Sequence, residues 1–108
     1  MLFKIKVYEK KDKTSPYYEW LDEQESTIQD MMSARLTRMS LGNFGKSDPV
    51  GEGISELKID VGPGYRIYYF LFGANLIVLV LCVGTKRTQA KDIKNAKDFL
   101  KDYKMRGK

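Results

Sequence analysis

The chain has 108 residues, 43% of them hydrophobic and 31% charged, which suits one domain with one apolar core and excludes a second. A single cysteine rules out an internal disulfide, and the absence of histidine removes the imidazole on which most acid–base catalysts and many metal sites rely. The net charge of +5 is uneven: residues 85–108 hold nine Lys or Arg and three Asp, a net of +6, against ten basic and eleven acidic residues, a net of −1, over 1–84.

In chain order, residues 2–9, LFKIKVYE, alternate Phe3, Ile5 and Val7 with Lys4, Lys6 and Tyr8, the period of a half-buried strand. The N-terminus lacks the continuous apolar block of a signal peptide, so the expected location is the cytoplasm. Ser15 is placed to cap a helix over 16–24 that begins at Pro16 and buries Tyr17, Trp20 and Leu21. A second helix, 26–41, carries Ile28, Met31, Met32, Leu36 and Met39 at helical spacing as a core stripe, and Gly42-Asn43 ends it. Residues 42–53, GNFGKSDPVGEG, hold four glycines and a proline and read as a loop.

Three strands follow: ISELKID at 54–60, YRIYYFLF at 65–72 and NLIVLVLCV at 75–83. Gly62-Pro63-Gly64 and Gly73-Ala74-Asn75 are tight connections, so the three form an antiparallel meander. The last is apolar on both faces, like a central strand, and its eight-residue run at 76–83 falls far short of the roughly 20 residues of a membrane helix. Cys82 lies within it, as a reduced, inert core thiol. Residues 89–104 set Ile93, Ala96, Leu100 and Tyr103 against Lys94, Lys97, Lys101 and Lys104, an amphipathic final helix.

The order is β-α-α-β-β-β-α, an α+β domain with a small, mainly antiparallel sheet and helices on one face. Strand parity then sorts the side chains. If Leu57, Ile59, Ile67, Tyr69 and Leu71 point to the helices, then Glu56, Lys58, Asp60, Arg66, Tyr68 and Phe70 share the opposite face with Lys4, Lys6 and Tyr8. That face is basic and aromatic together. Such a mixture supplies cations for phosphates and rings for unstacked RNA bases, although a solvated sheet face also carries lysine and arginine. The basic tail likewise suits phosphates or an acidic protein.

The succession YYEWLDEQ, ARLTRMSLGNFGKS, GISELKIDVGPGYRIYYF and VGTKRTQAKDIKNAKDF resembles the RelE/ParE toxin superfamily, in its HigB-like, phage-derived addiction-module branch. The resemblance runs from about residue 15 to 103, and the order of its pieces is more specific than any one of them. It implies the toxin of a type II toxin–antitoxin pair, monomeric by itself and neutralised by a small helix-turn-helix antitoxin. RelE-like members cut mRNA in the ribosomal A site, and ParE-like members share the fold but poison DNA gyrase.

Ribonuclease chemistry requires a 2′-OH to lose its proton and attack phosphorus, the developing phosphorane charge to be met, and the 5′-oxygen to be protonated as it leaves. Without histidine, that work falls to Lys, Arg, Tyr or Asp and to positioning by the ribosome. Arg66, where the superfamily places a strand arginine, offers a charged bidentate fork to the scissile phosphate. Lys58, at the basic position of the ELK motif, would stabilise the phosphorane, or act as a base if neighbouring cations depress its pKa. The resemblance gives Lys86 a role at the leaving oxygen and Asp92 one as acid or base, while Asp92 also suits a helix N-terminus electrostatically. Tyr68, Arg87, Gln89, Lys4 and Lys6 are candidate RNA contacts, with Tyr68 a base-stacking ring or a packing one. No metal or cofactor is expected. Three readings remain open here: a translation-dependent endoribonuclease, a ParE-like gyrase inhibitor, and a non-catalytic antitoxin-binding protein.

Overall fold

In the computed structural model, which describes residues 2–107, the chain runs β1 (Lys4–Val7), α1 (Pro16–Asp22), α2 (Ser26–Ser40), β2 (Lys46–Gly51), β3 (Ile54–Ile59), β4 (Tyr65–Phe72), β5 (Ile77–Thr85), a 3₁₀ turn (Lys86–Thr88) and α3 (Gln89–Met105). The five strands form one sheet in the order β1-β5-β4-β3-β2, with β1 parallel to β5 and the other pairs antiparallel. The α+β class and the meander are therefore as expected. The segment 42–53, expected as loop, instead supplies β2, because Pro49 lacks an N–H that an edge strand does not need for its ladder. Its glycines sit at the ends of the strand and at the turn into β3 rather than along it.

Local chemistry explains the helix starts. Ser15 Oγ accepts from the Tyr18 N–H at 3.3 Å, with Pro16 in the first helical position. The two shorter helices deliver Tyr17, Met32 and Met39 into the core formed by Leu57, Ile59, Ile67, Tyr69, Val78 and Val80. These methionines are fully buried, as a core stripe should be. Leu71 alone among the inward-expected side chains of β4 stays exposed, near the far end of that strand.

The placement of helices on one face needs correction. The first two cover one face, but α3 packs its Ala96, Leu100 and Tyr103 on the other, against Tyr8, Ile54, Tyr68, Leu79 and Leu81. The parity of the strands was right and the openness of the second face was not. With nonpolar residues at both parities of β5, the sheet can bury both sides only if helices sit on both. Cys82 lies in this second core, where burial pushes its thiol up to about 12.

Candidate functional site at one end of the sheet

The end of the sheet beneath the start of α3 gathers most of the expected residues. Lys46, Lys58, Arg66 and Gly84 lie directly opposite one another across β2, β3, β4 and β5. Directly opposed residues share a face with Cβ atoms about 4.5–5.5 Å apart, so three cations stand in a row that ends at a glycine. That glycine admits the next strand-crossing group. A Cβ at Gly84 would stand 1.9 Å from Asp92 Oδ2, so the Asp92 carboxylate fills the space that a side chain beside Arg66 would take.

Arg66 is 6% exposed. A buried guanidinium demands anionic or acceptor partners, and the chain provides them only loosely. Nη1 donates to the Tyr65 carbonyl at 3.1 Å, while Glu56 Oε1 is 3.9 Å from Nε and Asp60 Oδ1 is 4.0 Å from Nη1. The buried Nε–H has no hydrogen-bond acceptor among the described residues. Both carboxylates are thus at ion-pair distance and outside good hydrogen-bond distance, which leaves the fork held in place but unsaturated.

Glu56, 2% exposed, is a functional candidate that sequence reasoning passed over. Its Oε2 accepts from Tyr68 Oη at 3.0 Å and from Gln89 Nε2 at 2.7 Å, tying β3, β4 and the first residue of α3 to one carboxylate. Its place on the Arg66 face, directly across from Tyr68, was the available signal. Tyr68 itself is wholly buried, and its hydroxyl is pushed far up by burial and by the Glu56 charge, so the ring is a packing element and not a base-stacking platform. Gln89 is likewise engaged within the chain.

Lys58 pairs with Asp48 at 2.6 Å, and that hydrogen bond and charge hold its ammonium above the ordinary lysine value. The option of Lys58 as a proton-accepting base is corrected on that ground: the neighbouring carboxylates outweigh the Arg66 charge, and the group is a cation. Asp60 is held low mainly by its hydrogen bond to Lys46. Asp92 is shifted the other way. Desolvation raises it, against a 2.5 Å hydrogen bond from Thr88 Oγ1 and the charge of Lys91. A carboxyl so raised suits proton transfer better than one held low.

Lys86 and Arg87 are exposed on the 3₁₀ turn. The Lys86 N–H donates to the Gly64 carbonyl at 2.7 Å. Gly64, at φ +79°, a backbone conformation that favours glycine, lies beside Arg66 Nη1 and the Cβ of Lys86, so the turn sets the Lys86 backbone next to the guanidinium. Lys4 and Lys6 are not brought there. They sit on the opposite edge strand, paired with Ile77 and Leu79 at the far end of β5 from Gly84, and Lys6 Nζ lies 5.3 Å over the Tyr103 ring. Among the described residues no three His, Cys, Asp or Glu side chains gather as metal ligands, and no helix is long and apolar enough to cross a membrane.

No family model matches the chain. It is 51% identical over 67 residues to an uncharacterised protein of Haemophilus influenzae, a stretch that is 61% of this chain and 66% of that protein, just under two thirds of its length. Among solved structures it is similar to an arginine-to-alanine double mutant of the E. coli toxin RelE in the free state, with a TM-score of 0.63 and 14% identity over 89% of this chain and 94% of that one. It is also similar to a chain of the intact E. coli RelBE toxin–antitoxin complex, with a TM-score of 0.59 and 15% identity over 77% of this chain and 95% of that one. The backbone of this chain is therefore that of the RelE toxin fold.

Proposed function

We propose that the chain is the toxin of a type II toxin–antitoxin pair and acts in the cytoplasm as a metal-independent, ribosome-dependent mRNA endoribonuclease. The observation that carries this is Arg66: a guanidinium fixed in a sheet of RelE fold, more than nine-tenths buried, with its fork unsaturated and its two carboxylate partners at 3.9 and 4.0 Å. A phosphate in bidentate contact would supply the acceptors that the chain withholds. Lys58, as a cation, then meets the phosphorane charge, Lys86 faces the leaving oxygen, and Asp92 handles the proton. Arg87 is left for backbone or ribosome contact. The basic face of α3, with Lys94, Lys97, Lys101 and Lys104, is available to an acidic segment of the helix-turn-helix antitoxin.

The test is induction of the wild type, Arg66→Ala and Arg66→Lys in cells, with mRNA 5′ ends, translation and plasmid supercoiling read together. Arg66→Lys keeps the charge and loses the fork, so it controls for folding, checked by a thermal melt. Removing one donor from a transition-state charge site costs about 10²–10³ in rate, so codon-phased cuts should fade in both variants. Growth inhibition retained in folded Arg66→Ala overturns the reading. A change in supercoiling without cuts would favour the gyrase inhibitor instead.

A further inference from the structure

Lys46 belongs to no catalytic role above, yet it extends the cation row. Lys46 and Lys58 are directly opposite, as are Lys58 and Arg66. Like charges in that relation repel. The fold tolerates them by crossing the charges diagonally, Lys46 with Asp60 at 3.1 Å and Lys58 with Asp48 at 2.6 Å. Lys46 is 77% exposed and both carboxylates about 60%, while Lys58 is one-third exposed, and ion pairs open to solvent contribute little. They hold the cations together without committing them.

Behind the row is a cavity of about 330 Å³, lined by Arg35 from α2, Lys46, Lys58 and Asp60. Three basic residues from three elements and one acidic residue share its lining with Gly45 and Val61. Arg35 Nη1 lies 3.7 Å from the position a Cβ on Gly45 would take, so the guanidinium reaches the start of β2. With strands about 4.8 Å apart, Lys46 stands roughly 10 Å from Arg66, too far to share one phosphate group with it.

We propose that this cavity is a second phosphate subsite, where Lys46 and Arg35 hold a phosphodiester of the RNA strand whose scissile phosphate meets Arg66. The inference rests on the ribonuclease reading for the identity of the strand. A single strand laid across the row meets Arg66 first, then Lys58, then the cavity, and exchanges the weak internal carboxylates for phosphates. Guanidinium and ammonium together suit this anion, because the fork of Arg35 fixes direction and the lysine follows the charge.

The experiment measures binding of a 2′-O-methyl oligoribonucleotide, which cannot be cut, to the purified protein over a salt series. Lys46→Ala and Arg35→Ala should each lower the slope of log K against log salt by about 0.7, the value for one single-strand phosphate contact. Lys11→Ala, exposed in the turn after β1 at the opposite edge of the sheet from β2, should leave the slope unchanged. A second arm replaces one phosphodiester at a time by an uncharged methylphosphonate. At the position that the subsite holds, the wild type should weaken to the Lys46→Ala level while Lys46→Ala weakens no further. Wild-type slopes in both variants, or no salt-dependent binding by the wild type, overturn the subsite. Cleavage of mRNA on translating ribosomes by the wild type is read in parallel: its absence would sink the ribonuclease reading while the binding slopes still judge the subsite.

Discussion

Gly84→Ala is the sharpest test of how the end of the sheet is assembled. The added Cβ would stand 1.9 Å from Asp92 Oδ2, 2.8 Å from its Cγ and 3.1 Å from Thr88 Oγ1. The carboxylate must retreat by 1.1 Å or more to reach even 3.0 Å, and in doing so it strains or loses its hydrogen bond from Thr88. The strand cannot yield instead, since Gly84 is buried and paired with Arg66 between β4 and the first turns of α3. The backbone at 84 is not in the left-handed region, so the penalty is steric. Overpacking of this kind costs about 1–3 kcal/mol, or roughly 4–15 °C in Tm for a domain of this size. Urea and thermal unfolding of the wild type, Gly84→Ala, Asp92→Ala and the double variant measure it. In the Asp92→Ala background only the 3.1 Å approach to the exposed Thr88 hydroxyl is left, and Gly84→Ala should cost under about 1 kcal/mol. An equal penalty in both backgrounds would refute the placement of Asp92 against the strand.

Two further outcomes follow from the buried carboxylates. Tyr68→Phe withdraws a donor from Glu56 while leaving the ring, so it should cost about 1–3 kcal/mol in urea unfolding, and an unchanged midpoint would deny the Tyr68–Glu56 bond a structural role. For Asp92, burial sets the folded pKa above the unfolded one, so the native state binds the extra proton between the two values. Its contribution to stability is full below the unfolded value and lost as pH rises through the folded one. Asp92→Asn should therefore be more stable than the wild type at neutral pH, with the advantage shrinking towards about pH 4, and inactive in cleavage. A stability difference that does not change with pH would remove desolvation as the cause.

Much of this was legible from spacing. The period-2 alternation of β1 and β3, the Ser15-Pro16 start and the methionine stripe of α2 are local signals, and the structure follows them. Parity also put Lys58 and Arg66 on one face. What local pattern could not tell was how that face is covered, because the docking of α3 is a tertiary choice between two apolar sides of β5. Tyr68 and Arg66 were accordingly placed as surface groups, although both are buried. Glu56 was passed over for a related reason: an acid in an alternating strand reads as a solvated residue until Gln89, thirty-three positions later, is seen to donate to it. The strand β2 was hidden by its glycines and proline, which mark loops in most contexts and here mark an edge.

The parallel ladder between β1 and β5 also fixes an order of events. Among the described residues β1 has no strand partner other than β5, and its first register pair joins Lys4 to Ile77, a separation that makes this contact among the slowest to close. The cation row itself is local, since Lys46, Lys58 and Arg66 come from adjacent antiparallel strands, but Arg66 meets Gly84 and Asp92 only once β5 and α3 are in place. A nascent chain emerging from its N-terminus therefore carries neither a finished sheet nor the groups that surround Arg66 until residue 92 has left the ribosome. The surroundings of Arg66 are thus completed last, by elements that follow it in the chain and not by the hairpins that carry it.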